Sequence, residues 1–169
     1  RQMCIRDRFY TDKGVTKFDG SKAAFEPIKA SNNNTVSIID SSDGQIAAVI
    51  LISEFDFRLG LMQEHFNENY LESNVYPKST FEGQIKNFSL EELNQDFKEH
   101  EIEGVLTIKG VNNDITTKAK IRKIDEKIEL SSGFSVMLSD YKVKIPKIVF
   151  KKIDEEVKIN LNFVYERKQ

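Results

Sequence analysis

Apart from Cys4, the 169-residue chain contains no cysteine. No internal disulfide can form, and cysteine usage says nothing about compartment. Histidine is nearly as scarce, with only His65 and His100 present. Zinc takes three or four nitrogen, sulfur or oxygen ligands, and the HFNE run from His65 lacks the His-Glu-x-x-His arrangement. His100 stands far away in a charged segment, so no metal site is expected. No apolar run reaches the roughly 18 residues of a membrane-spanning helix. Neither sign of charge dominates: 25 Lys and Arg against 27 Asp and Glu leave a net charge of −2. That argues against a general nucleic-acid binder, whose domain is usually basic. No Gly-x-Ser-x-Gly, P-loop or dinucleotide glycine pattern occurs, and neither histidine has an obvious serine partner. No catalytic residues are expected, and the chain reads as a non-enzyme.

What remains is 39% hydrophobic and 31% charged, enough for one core without disulfides or metal. No repeat of 20–50 residues is visible. The chain opens on Arg1 and is expected to be a processed product or a fragment. Its first stretch, RQMCIRDR, resembles adapter-derived tracts at the ends of assembled sequences. Residues 1–8 are therefore expected to be non-native or disordered, and 9–167 a single domain.

Period-two alternation, the mark of half-buried strands, runs through most of the chain. Val15 to Gly20 and about Pro27 to Asp40 favour strand, with Asn32-Asn33-Asn34 read as a turn. Asp43-Gly44 signals a hairpin, and Gln45 to Phe57 follows as one long apolar strand. Ser79 to Phe88 alternates next. Ile102, Gly104, Leu106 and Ile108 share a face, Gly110 to Asp114 reads as a turn, and Ile115, Thr117, Ala119 and Ile121 resume the alternation. After Asp125-Glu126 come Ile128 to Val136, and finally Val157 to Tyr165. Strands of about 8–12 residues joined by tight turns predict an antiparallel barrel or sandwich.

Strand length favours the barrel, since about ten residues extend roughly 33 Å and can wall a deep cavity. Phe55, Phe57, Phe81, Ile85, Leu106, Ile108, Phe134, Val136, Leu161 and Phe163 fall on its inward faces. Gly83 and Gly104 stand there too, either easing a bend or leaving lumen volume. The natural guest of such a lumen is a long hydrocarbon, at about 0.8 kcal/mol per buried methylene. Lys118, Lys120, Arg122 and Lys123 form a basic row that reads as a solvated outer face.

The period changes between Phe57 and Pro77. Leu59, Met62, Phe66 and Tyr70 recur at helical spacing and predict a short helix over about 58–71. It would plug or close one end of the barrel. Glu64, Glu68 and Glu72 line its wet side rather than forming an acid–base pair, because the opposing faces are oily. Leu90, Leu93 and Phe97, with Ser89 and Glu92 as a capping box, suggest a second short helix at about 89–98.

LMQEHFNENYLES at 61–73, the following Tyr76-Pro77, the strand Ser79 to Gly83, and the run Gly104 to Val111 together resemble the YceI-like family. The similarity extends from about Phe9 to Tyr165. It implies an all-β fold, an antiparallel lipocalin-like β-barrel with its short helices at about 58–71 and 89–98. It further implies a bacterial protein, periplasmic or secreted, that binds a long-chain isoprenoid or other amphiphilic lipid without bond-making. The expected pocket adds Leu61, Met62, Phe66, Tyr70 and Tyr141 to the inward residues above, with the Tyr141 hydroxyl offered to a headgroup. No cofactor is expected beyond a bound isoprenoid or fatty-acyl lipid, and no nucleic-acid partner. The chain is expected to be a monomer or homodimer. The rival expectation is a structural or stress-related barrel with a filled core and no ligand.

Overall fold

The computed structural model describes residues 8–21, 29–57, 74–143 and 153–167. Wherever apolar and polar residues alternate, the chain is extended. The strands are β1 (Arg8–Ser21), β2 (Lys29–Asp40), β3 (Gln45–Leu51), β4 (Asp56–Phe57), β5 (Lys78–Ile85), β6 (Lys98–Ile108), β7 (Val111–Ile124), β8 (Lys127–Met137) and β9 (Ile153–Arg167). All pairings are antiparallel. Eight strands follow each other as β1-β9-β8-β7-β6-β5-β3-β2, and β2 pairs with β1 to close the ring. β4 is a two-residue strand on β2, where Phe57 and Asp56 face Ala30 and Ser31. The expected barrel is the fold.

Several local expectations are corrected. The asparagine run does not turn; it lies inside β2 as an irregularity where Gly14 faces Thr35 and Thr16 faces Asn32. Asn32 is buried there, donating from Nδ2 to the Leu51 carbonyl at 3.1 Å and accepting from the Asn34 amide at 2.8 Å. Its side chain takes over bonding that a turn would otherwise have supplied. The long strand from Gln45 stops at Leu51, because a 3-10 turn over Ile52–Glu54 swings Asp56 and Phe57 onto β2. The turn read at 110–114 is only Lys109-Gly110, with φ of 53° and 75°. Two left-handed residues suit a two-residue hairpin, so Val111 to Asp114 pair with β6. Residues 89–98 hold one 3-10 turn, Leu90–Glu92, and Ser89 makes no side-chain cap; its hydroxyl donates to Glu91 instead. Arg8, assigned to the foreign tract, already pairs with Asp40. The helix expected over 58–71 lies outside the described residues, as do residues 1–7.

The interior has two halves. The end bearing the Asp43-Gly44 and Asp125-Glu126 turns is solid: Phe9, Ile39, Ile85, Ile121, Ile128 and Tyr165 there are each 0% exposed. Burial of such side chains stabilises by about 1.5–3 kcal/mol apiece. Not all of that wall is apolar. β1 and β2 turn small hydroxyls inward, and Thr16, Thr35 and Ser37 are each hydrogen-bonded. Thr16 and Thr35 share a hydroxyl–hydroxyl bond of 2.8 Å. Ser37 donates to the Ala47 carbonyl at 2.8 Å, so the Tyr165 hydroxyl, also 2.8 Å away, must donate to Ser37.

One seam of the ring is incomplete. The β7–β8 ladder runs from Ile124 and Lys127 to Ala119 and Ser132 and stops. Both strands continue past that point, β7 held by β6 as far as Val111 and β8 held by β9 as far as Met137. The wall is therefore forked on the side of the barrel's other, hollow end.

Candidate functional site

The hollow end contains a chamber of about 180 Å³. Its floor is the top of the solid half, where Ile46, Ile102, Leu130 and Phe163 belong to both. Its walls are Phe81 from β5, Leu106 and Ile108 from β6, Ile115 and Thr117 from β7, Phe134 and Val136 from β8, and Val157, Ile159 and Leu161 from β9. Phe55 and Phe57 cover another side, held by Phe18 through edge-on ring contacts at 5.2 and 5.6 Å. Almost none of the lining surface is polar, and among the described residues it includes no carboxylate, histidine, cysteine or cation. A void lined this way stays dry: an engineered apolar cavity of about 150 Å³ excludes water and takes up benzene.

A 3-10 turn over Leu138–Tyr141 adds a further wall. The Asn113 amide of β7 donates to the Asp140 carbonyl at 2.7 Å, and Glu155 of β9 accepts from the Ser139 amide at 2.7 Å. The turn thus bridges the two sides of the fork at its open end. Tyr141 is 2% exposed, and its hydroxyl has no hydrogen bond among the described residues. Burial pushes its phenol above the ordinary tyrosine range, opposed by the nearby Asn113 side chain.

Ten of the fifteen residues expected to line the pocket do so: Phe55, Phe57, Phe81, Leu106, Ile108, Phe134, Val136, Tyr141, Leu161 and Phe163. Ile85 does not. It sits on the inward face of β5, but two inward positions deeper than Phe81, inside the solid half. Leu61, Met62, Phe66 and Tyr70 lie outside the described residues, as does His65. Sequence reasoning passed over Phe18, although Thr16, Phe18 and Gly20 alternate and all three reach the chamber. The paired glycines Gly83 and Gly104 leave no lumen volume, because the Phe81 ring fills the space above both.

Among the described residues no three His, Cys, Asp or Glu side chains group as a metal site, and no helix is long and apolar enough to cross a membrane. His100 sits at the rim of β6, its Nδ1 atom 3.2 Å from the Lys98 carbonyl.

Closed ring and oily chamber together define a lipocalin-like antiparallel barrel. The sequence profile of the YceI-like domain matches residues 9–165, and the chain belongs to that family. No curated protein matches it. A polyisoprenoid binding domain from Saccharophagus degradans, implicated in plant cell wall breakdown, superposes with a TM-score of 0.84 at 14% identity, covering 95% of this chain and 98% of that one. BcnA of Burkholderia cenocepacia gives 0.74 at 18% identity, covering 90% and 96%. The Campylobacter jejuni YceI protein gives 0.69 at 18%, covering 86% and 88%. At these identities the likeness establishes the shared fold.

Proposed function

We propose that this protein binds a long-chain isoprenoid or related amphiphilic lipid in its chamber, and sequesters or carries it without making or breaking bonds. The observation that carries this reading is the lining itself: almost wholly hydrocarbon and, among the described residues, without a charged group. Desolvation of the tail drives binding at about 0.8 kcal/mol per buried methylene, less the cost of ordering it. Among the described residues the lining hydroxyls of Thr16, Ser79, Thr117 and Ser132 have no acid or base beside them in the chamber, which suits a carrier better than an enzyme. The Saccharophagus domain, with the same fold, is described as polyisoprenoid-binding, which supports the ligand class. A periplasmic or secreted location belongs to the same proposal, since a carrier that shields a tail from water serves where lipids must cross an aqueous space.

The rival, a structural barrel with no ligand, draws support from the solid half alone. Organic extraction of the purified protein followed by mass spectrometry separates the two. The carrier yields a stoichiometric long-chain lipid; a barrel that yields none and takes none up in titration is structural.

A further inference from the structure

Among the described residues the chamber is smaller than a whole amphiphile. Pockets that enclose drug-sized ligands measure about 300–1,000 Å³, against about 180 Å³ here. The fork between β7 and β8 is an opening in the wall beside the chamber. Its two lips carry Ile115 and Thr117 on one side and Phe134 and Val136 on the other, and all four line the chamber. From Gly133 to Met137 the β8 lip is five residues long, about 17 Å of strand.

On the outer wall, at the base of the fork, runs an open groove of about 540 Å³. Lys17, Lys118 and Lys120 line it together with Ser131, Asn160 and Asn162. Glu99 is its one carboxylate, 3.5 Å from Lys118. Lys118 and Gly133 are the first residues past the last β7–β8 pair, and both line the groove. Gly133 places no side chain across the opening. Ser132 and Leu161 line chamber and groove alike, so the two spaces are separated by the thickness of one strand pair.

We propose that the ligand is a single-tailed amphiphile with an anionic head, its tail in the chamber, its neck through the β7–β8 fork and its head in the lysine groove. This rests on the carrier reading and adds the head chemistry and the lateral path. Carboxylate and phosphate share the required property, a compact anion that accepts from ammonium, amide and hydroxyl donors. Lys118 and Lys120, half of the basic row that reads from sequence as a solvated face, acquire a purpose from their position at the fork.

Two matched pairs test the head: laurate against 1-dodecanol, and farnesyl phosphate against farnesol. The wild-type chain should prefer the charged member in at least one pair, and that pair identifies the head as carboxylate or phosphate. The K17Q/K118Q/K120Q variant should lose about tenfold or more in affinity for that anion, the share of one charge-assisted hydrogen bond, while binding the neutral partner as wild type does. Equal wild-type affinity for charged and neutral members, or a triple variant that binds the anion unchanged, overturns the proposal. If wild type binds none of the four, the carrier reading falls with it.

The path has its own test. In a Cys4→Ser background, Thr116→Cys and Ser135→Cys place exposed thiols on opposite lips, where a bis-maleimide can tie them without the close approach that a disulfide requires. Tied protein should load laurate or farnesyl phosphate about tenfold more slowly or worse, against mono-maleimide-treated protein as the control. Equal loading rates place the access route elsewhere.

Discussion

A methyl group on Gly104 would stand 2.6 Å from the Cζ atom of Phe81 and would also press on the Glu82 carbonyl. Gly104 faces Gly83 across the β5–β6 ladder, and Phe81 is the next inward residue. The glycine pair is therefore the seat of a ring that forms part of the chamber wall. Gly104→Ala should destabilise by about 1–3 kcal/mol, as over-packing does, read as a fall in denaturant midpoint at constant slope. In a Phe81→Leu background the same change should cost less, because the collision with the ring is gone while those with the Glu82 carbonyl and the Gly83 Cα remain. Equal cost in both backgrounds would assign the penalty to the Glu82 and Gly83 backbone.

Filling the chamber should separate binding from folding. Ala48 lines it from β3, directly opposite Phe81 in the β3–β5 ladder. Ala48→Phe should hold stability within about 1 kcal/mol of wild type, since a cavity receives the ring, and should lower lipid affinity by about tenfold or more, the loss of roughly two buried methylenes. Glu82→Gln, on the outward face beside Phe81, should leave both unchanged. An Ala48→Phe protein that folds and still binds at full affinity would place the tail outside this chamber.

Ile85 provides the opposite control. It belongs to the solid half and is 0% exposed. Ile85→Val should cost about 0.5–1.5 kcal/mol and leave lipid affinity as it was. A larger drop in affinity than in stability would mean that the chamber extends deeper than its floor at Ile46 and Phe163.

The second half of the barrel was legible in sequence because each strand from β6 to β9 keeps one face mainly apolar, broken only by small residues such as Thr117 and Ser132. Phe134, Val136, Leu161 and Phe163 could be placed on the lumen by parity alone. Depth along the axis was not legible: Ile85 and Phe81 share a face, and only three-dimensional stacking distinguishes solid floor from open chamber. The Asn32 run failed as a turn signal because its amide bonds inside the wall rather than capping a loop. The fork was hidden for a simpler reason, namely that alternation along β7 and β8 continues unbroken past Ala119 and Ser132, and a lost ladder leaves no mark on either strand's pattern.

Alkaline pH should expose the buried phenols. Burial drives Tyr165 well above the ordinary tyrosine value of 10.0, with the Ser37 hydrogen bond pulling only partly back. A raised folded-state value means that the stabilisation is complete below about pH 10 and declines above it, where the unfolded chain ionises first. Tyr141 shifts in the same direction and adds to the slope. Tyr165→Phe should therefore flatten the fall in melting temperature between pH 10 and pH 12 without abolishing it. At neutral pH it should cost about 0.5–1.5 kcal/mol, one neutral hydrogen bond, since Ser37 still donates to Ala47. A variant as steep as wild type would show that other groups govern alkaline unfolding.

If the chamber holds one lipid tail, calorimetric titration of delipidated protein with a long-chain isoprenoid quinone should show saturable one-to-one binding with a negative heat-capacity change, the mark of buried apolar surface. Ala48→Phe should lose that binding. Absence of saturable binding in wild type, or equal binding by the filled variant, would contradict that occupancy.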